Sequence, residues 1–253
     1  MTPFGKHPDH ARVLRKLTLT TELSAEELEA LRDTPVAIRH IEADEDIVPQ
    51  GAKPSNCTAV LSGFACRYKL GVDGRRQILS FHAPGDMPDI QSLHVEVMDH
   101  GLMALRPTTV ALLPHARLIA LMIAQPKIEH ALWREVVLDA ATYRQWIFGL
   151  GRRTAEERLA HLICETAARF ELIGMPDQAA AVPLRQTQLA DALGLSTVHV
   201  NRVLQELRAR SLLGPRRNAI EVLQPEALRA FADFDAAYLT LQGVSPHRSG
   251  RPN

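Results

Sequence analysis

The densest group of side chains able to do recognition chemistry lies in "QLADALGLSTVHVNRVLQELRARSLL", residues 188–213. Two short amphipathic segments flank Gly194-Leu195-Ser196, and the outer face of the second carries Thr197, His199, Asn201, Arg202, Gln205 and Arg208. A helical hairpin buried on both sides would place apolar residues there. Hydroxyl, amide, imidazole and guanidinium groups instead offer donors and acceptors to a polar partner. Ala190 is small where a second helix must cross closely, Gly194 tolerates a left-handed turn, and Val200 faces back, at offsets of 4 and 6. Leu189, Leu193, Leu195, Val203, Leu204 and Leu207 complete a small core, and Ser196 is a natural N-cap. This is helix-turn-helix spacing. Thr197, Val198, His199, Asn201 and Arg202 are left outside, where such a unit would enter a DNA major groove.

The local charge agrees. Between Ser196 and Arg217 five arginines (202, 208, 210, 216 and 217) stand against one acid, Glu206, a local net of +4. "LLGPRRNAIEVL" reads as a β-hairpin wing whose tip carries Arg216 and Arg217, placed to meet phosphate oxygens. The whole 253-residue chain has 29 basic and 29 acidic residues and no net charge, so any basic footprint is local. A hairpin with a merely solvated basic face would explain neither the spacing nor the wing.

These groups need elements to hold them. Ser24 and Glu27 form an S-x-x-E capping box that starts a short helix ending near Arg32. From about 36 to 113 the texture changes to β-type runs, "TAVLSG", "FACRYKL", "RQILSFH" and "TVALLP". Glycines 51, 63, 74 and 85 punctuate them at steps of 12, 11 and 11, with turns at Asp73-Gly74 and Pro84-Gly85-Asp86. Such spacing predicts an all-β sandwich or barrel of jelly-roll type. "ARLIALMIAQ" then reads as a short helix, and Pro126 opens a long one running to about Leu150. Trp133, Val136, Ala140, Tyr143, Ile147 and Leu150 recur on it at 3, 4, 3, 4 and 3, a heptad-like seam that serves either its own β domain or a second subunit. Gly149 and Gly151 are expected to break this helix, placing the domain boundary in "GLGRRT". Thr154 and Glu157 cap the next helix, which runs to about Ile173 before a loop at Gly174-Met-Pro-Asp177 and a short strand near 182–184. The tail "GVSPHRSGRPN" lacks periodicity and is expected to be disordered.

Other chemistries find less support. Cys57, Cys66 and Cys164 are odd in number with no C-x-x-C spacing, which fits buried thiols in a reducing compartment. Cys57 and Cys66 could act as a redox pair only if neighbouring strands joined them, and their surroundings read as inert β-core. A cupin-like metal-binding β-barrel enzyme, or a haem sensor, would gather imidazoles such as His82, His94, His100 and His115 on one barrel. No H-x-H pair or matching acid spacing accompanies them, so no metal ligand set and no enzyme activity are expected. No apolar run approaches the roughly 18 to 20 residues of a membrane span. The N-terminus lacks a signal-peptide core, so a cytoplasmic protein is expected.

Over about residues 20–225 the sequence resembles the CRP/FNR superfamily of transcription regulators, the catabolite-activator and fumarate-nitrate-regulator type. The resemblance is strongest in "LRQTQLADALGLSTVHVNRVLQELRARSLL", good in "GRRTAEERLAHLI" and moderate in "VLSGFACRYKLGVDGRRQILSFHAPGD". It implies an α+β chain: a double-stranded β-helix (jelly-roll) sensor domain like a cyclic-nucleotide-binding domain over 1–115, and connecting and dimerisation helices over 116–150. A winged helix-turn-helix follows over 151–240, then a tail over 241–253. The Trp133–Leu150 stripe then becomes the seam of a homodimer.

The resemblance also implies which residues meet DNA. Arg202 matches the arginine that relatives use on guanine; Asn201 and Thr197 sit at neighbouring base-contacting positions, and Ser196 and His199 at backbone-contacting ones. Gln186 and Thr187, at the start of the first helix, join the set. Val198 departs from the glutamate common at its place. It cannot accept a hydrogen bond from cytosine but can touch a thymine methyl, so the usual half-site is not expected to carry over. Arg185 departs from a common threonine cap, and Thr187 is expected to serve instead.

A cyclic nucleotide would need the family's Gly-Glu followed by Arg-Ser. This chain has Gly85-Asp86 and then Met98-Asp99, and an acid in the arginine's place repels a phosphate. The iron-sulfur members need four cysteines, usually near the N-terminus, and the first 56 residues here have none. Neither cyclic AMP nor a cluster is therefore expected, and no effector is assigned. The implied partners are double-stranded DNA, a second copy of the chain and, for an activator, RNA polymerase.

Overall fold

The computed structural model describes residues 1–216 and 218–241. The N-terminal half is a β-roll of two four-stranded sheets. One is ordered β1 (Thr2–Pro3), β2 (Pro35–Ile41), β8 (Thr108–Pro114), β4 (Asn56–Ser62); the other β3 (Asp46–Val48), β7 (Gly101–Ala104), β5 (Ala65–Leu70), β6 (Arg76–His82). Every neighbouring pair is antiparallel. Ile41, Ile47, Val60, Ala65, Leu102, Ala104 and Val110 pack between the sheets. β4 reads as an almost unbroken apolar run because both its faces are covered. Gly63 turns at a φ of 89°, and a Cβ there would lie 2.5 Å from the Pro107 carbonyl oxygen, so only glycine fits.

Helices cover the outside of the roll. α1 (His10–Thr20) and α2 (Ala25–Asp33) precede β2, and the Ser24–Glu27 box closes as expected. α1 was not legible in the sequence: only Val13, Leu14 and Leu17 are buried, and no side chain caps it. α3 (His115–Ala124) and α4 (Pro126–Arg152) follow β8.

α4 corrects an expectation. It runs straight through Gly149 and Gly151 to Arg152. A glycine in mid-helix costs about 1 kcal/mol relative to alanine but does not end the hydrogen-bond ladder. The stop comes at Thr154, whose extended backbone and capping box with Glu157 start α5 (Ala155–Leu172).

The rest is a compact helical unit with a small sheet: α6 (Pro176–Ala180), β9 (Ala181–Val182), α7 (Gln186–Leu193), α8 (Thr197–Ala209), β10 (Leu213–Arg216), β11 (Ala219–Val222) and α9 (Pro225–Phe231). α6 begins inside the stretch expected to be a loop, because Pro176 fits a first helical turn. Of the tail expected over 241–253, all but Leu241 lies outside the described residues, including the whole of "GVSPHRSGRPN". The two halves share one core. Phe64 stacks on Phe81 with centroids 5.6 Å apart and packs against Phe170 of α5 at 5.5 Å. No helix among the described residues is long and apolar enough to cross a membrane.

Candidate nucleic-acid interface

Local chemistry builds the interface first. α7 ends at Gly194, which takes the left-handed conformation (φ 64°) and donates its N–H to the Ala190 carbonyl. Two residues later the Ser196 Oγ accepts the His199 N–H at 3.1 Å and caps α8. Ala190, Val200, Val203, Leu204 and Leu207 are buried in the joint between the helices. Their burial fixes which face of α8 points outward.

On that face Thr197, Val198, Asn201 and Arg202 are exposed, and His199 is half-buried. Val198 is 80 % exposed, an uncovered apolar side chain in the first turn of a polar helix face. The Arg202 Nε stands 4.0 Å from Glu206 Oε1, too far for a hydrogen bond, and its side chain is 66 % exposed. No acceptor among the described residues lies within hydrogen-bond distance of its fork. Gln186 and Thr187 are exposed in the first turn of α7.

Thr187 does not cap α7. The helix starts at Gln186, and the Gln188 side chain reaches back to accept the Arg185 N–H at 2.9 Å. Glutamine supplies the half of a capping box that needs no hydroxyl at the cap. β10 and β11 pair from Leu213 with Val222 to Arg216 with Ala219, and β11 also pairs with β9. The hairpin expected from "LLGPRRNAIEVL" is present. The Arg216 side chain and Arg217 lie outside the described residues.

The α4 seam is only partly uncovered. Trp133, Ile147 and Leu150 are 47, 67 and 59 % exposed, and Val137 and Phe148 join them on the surface. Val136, Ala140 and Tyr143 are half-buried and line a cavity of about 630 Å³ between β6, α4, α5 and the end of α7. Arg67, Ile78, Trp146 and His161 also face it.

Sequence reasoning missed the contacts that aim the helix-turn-helix unit. The Arg76 guanidinium places Nε and Nη2 at 2.9 and 2.8 Å from Asp191 Oδ2 of α7. Gln77 donates to the Ala192 carbonyl at 3.1 Å, satisfying an acceptor at the end of that helix. The β-roll thus holds α7 and leaves the outer face of α8 uncovered. Partners 115 residues apart leave no local pattern to read.

The candidate sensor groups do not converge. Cys57 and Cys66 lie in opposite sheets and in separate hydrophobic clusters, and burial pushes each thiol up to about 12. His82 faces Ser80 and Asp86, His94 stacks on Trp133, His100 bonds Asp99, and His115 meets Ser92. Each is engaged separately.

Comparison with known proteins decides the family. Residues 38–125 match the model of the cyclic nucleotide-binding domain, and residues 157–231 that of the Crp-like helix-turn-helix domain. Together they span most of the chain in the order of the observed elements. The chain belongs to the CRP/FNR family of transcription regulators. Among its relatives, the transcriptional activator protein FnrA of Stutzerimonas stutzeri is 26 % identical over 219 residues, 87 % of this chain and 90 % of that one. The nitrogen fixation regulation protein FixK of Rhizobium meliloti is 28 % identical over 191 residues, 74 % of this chain and 83 % of that one. The structure of FixK2 from Bradyrhizobium japonicum superposes with a TM-score of 0.70 at 25 % identity, covering 78 % of this chain and 97 % of that one. This CRP/FNR protein is accordingly a DNA-binding transcription regulator built from a β-roll sensor domain and a C-terminal helix-turn-helix.

Proposed function

We propose that this regulator binds an inverted-repeat DNA site as a homodimer, one α8 per half-site, under control of the state of its β-roll. The observation that carries this reading is the uncovered polar start of α8 in a chain whose α4 also leaves Trp133, Ile147 and Leu150 uncovered. Two α4 helices packed along that stripe, with Val136, Ala140 and Tyr143 along its edge, relate two α8 helices by a two-fold axis. Two-fold symmetry calls for half-sites about one helical turn, roughly 10 bp, apart.

Arg202 is assigned to the O6 and N7 of a guanine, and Asn201 and Thr197 to adjacent base edges. Val198 supplies apolar contact with a thymine methyl. Ser196, His199, Gln186 and Thr187 hold the phosphate backbone, and Arg216 and Arg217 meet phosphates from the hairpin tip. The FnrA relative is named a transcriptional activator, and the same role here makes RNA polymerase a partner and the cytoplasm the place of action. The reading makes the chain a regulator with neither an enzymatic activity nor a resident cofactor. Neither cyclic AMP nor an iron-sulfur cluster serves as its effector: Asp99 stands where a phosphate would need an arginine, and three cysteines cannot supply four ligands. Calorimetry with cyclic AMP is expected to show no saturable heat; micromolar binding would overturn that part. Selection of genomic fragments by the purified protein tests the rest, with enrichment of an inverted repeat expected.

A further inference from the structure

Asp86, in the turn after β6, lies at the centre of a buried charge cluster. The Lys16 ammonium of α1 bonds to it and stands 2.7 Å from Glu135 Oε2 of α4; the three side chains are 15, 4 and 5 % exposed. Arg169 of α5 approaches the same carboxylate at 3.8 Å and Glu165 Oε1 at 3.5 Å. Glu165 in turn accepts hydrogen bonds from Trp146 Nε1 at 3.1 Å and from the Tyr238 hydroxyl at 2.7 Å. One cation therefore joins α1, the sensor turn and the seam helix. A second carries the connection into the first helix of the DNA-binding unit.

The fit around Lys16 is close. Lys16, Asp86, Asp139, Thr142 and Arg169 enclose only about 20 Å³ of free space, room for little more than one water. Gly85 turns at a φ of 99°, and a Cβ there would lie 2.9 Å from the Arg12 carbonyl oxygen, so the glycine lets α1 press against the turn. Arg15, next to Lys16, donates to the Leu172 carbonyl at the end of α5 at 3.0 Å. Burial alone would push the ammonium down, yet the Asp86 and Glu135 carboxylates hold it above its ordinary value. Without it Glu135 would be a buried carboxylate with no ion partner among the described residues.

Resting on the reading of the chain as a DNA-binding regulator, we propose that Lys16 is a built-in effector. Its ammonium, carried on α1, occupies the polar turn of the sensor domain and ties it to α4, while Arg169 on the same Asp86 carboxylate carries the connection to α5. That holds the DNA-binding unit in a pose with α8 uncovered, so DNA binding needs no diffusible ligand at this turn.

Two measurements on the full chain test this. Wild-type protein is unfolded in guanidinium, dialysed free of small molecules, refolded and titrated on its selected DNA site. Full recovery of affinity is expected; a loss restored by a small-molecule fraction of cell extract overturns the proposal. Lys16→Ala is then titrated on the same site with and without ethylammonium, which can fill the vacated space. An affinity about tenfold or more weaker is expected, recovering with ethylammonium and not with equal ionic strength of sodium. Unchanged affinity, or a folded variant that ethylammonium does not rescue, overturns it. Where Lys16→Ala folds poorly, ethylammonium must raise its melting temperature and its DNA affinity together, and failure of either counts against the proposal. Should wild-type protein select no DNA at all, the regulator reading itself fails, which neither Lys16 outcome can mimic.

Discussion

At the scale of single residues, the division between base reading and backbone holding is the sharpest expectation. Arg202→Ala would remove the proposed bidentate guanine contact, a loss of about 1 to 3 kcal/mol that should fall on one base pair only. Titration on the selected site, its single-base variants and a scrambled duplex checks this; an equal loss on all of them would make Arg202 a backbone clamp. Val198→Glu should shift preference towards cytosine at the facing position, since a carboxylate accepts from its amino group. The exposed face that carries these residues was legible in the sequence because a helix start and its turn are local. Gly194 at a φ of 64° and the Ser196 cap each answer to geometry within four residues. Arg76 with Asp191, and Lys16 with Asp86, were not legible. The partners stand 115 and 70 residues apart, the first pair across the two halves and the second between α1 and the β-roll, so no short window contains either.

At the scale of elements, the glycines of α4 show what composition can mislead. Gly149 and Gly151 suggested a break, yet with no positive φ required the ladder continues to Arg152. A Cβ at Gly151 would meet nothing within 4 Å. Gly151→Ala should therefore raise stability by about 0.5 to 1 kcal/mol, read as a higher melting temperature. α5 carries a second expectation. Burial, aided by Arg153, pushes His161 down to about 3, and its ring packs between Phe234 and Tyr238. The folded state keeps this imidazole neutral, whereas the unfolded chain takes up a proton below about pH 6.5. Stability is therefore lost as pH falls from about 6.5 towards 3, by about 1.4 kcal/mol per unit from this one group. His161→Phe should flatten that slope in denaturant titrations between pH 7 and 5; an unchanged slope would show that His161 is not the group responsible.

At the scale of the whole molecule, the β-roll and the helix-turn-helix unit share one hydrophobic core and are expected to unfold together. Phe170→Ala opens a hole where Phe64 and Phe81 meet α5, and should cost about 3 to 5 kcal/mol. Near- and far-ultraviolet dichroism should follow it through a single shifted transition. Two separate transitions would mean that the halves fold apart. The order of the parts was visible in the glycine-spaced strands, the long helix and the arginine-rich hairpin. The clasp that aims them was not. The central claim, one recognition helix per half-site in a symmetric pair, is tested most directly by the mass of the complex on selected DNA. Light scattering of purified protein on its enriched site should give two chains per duplex, on an inverted repeat with half-sites about one helical turn apart. One chain per duplex, or enrichment of a site without two-fold symmetry, would contradict it.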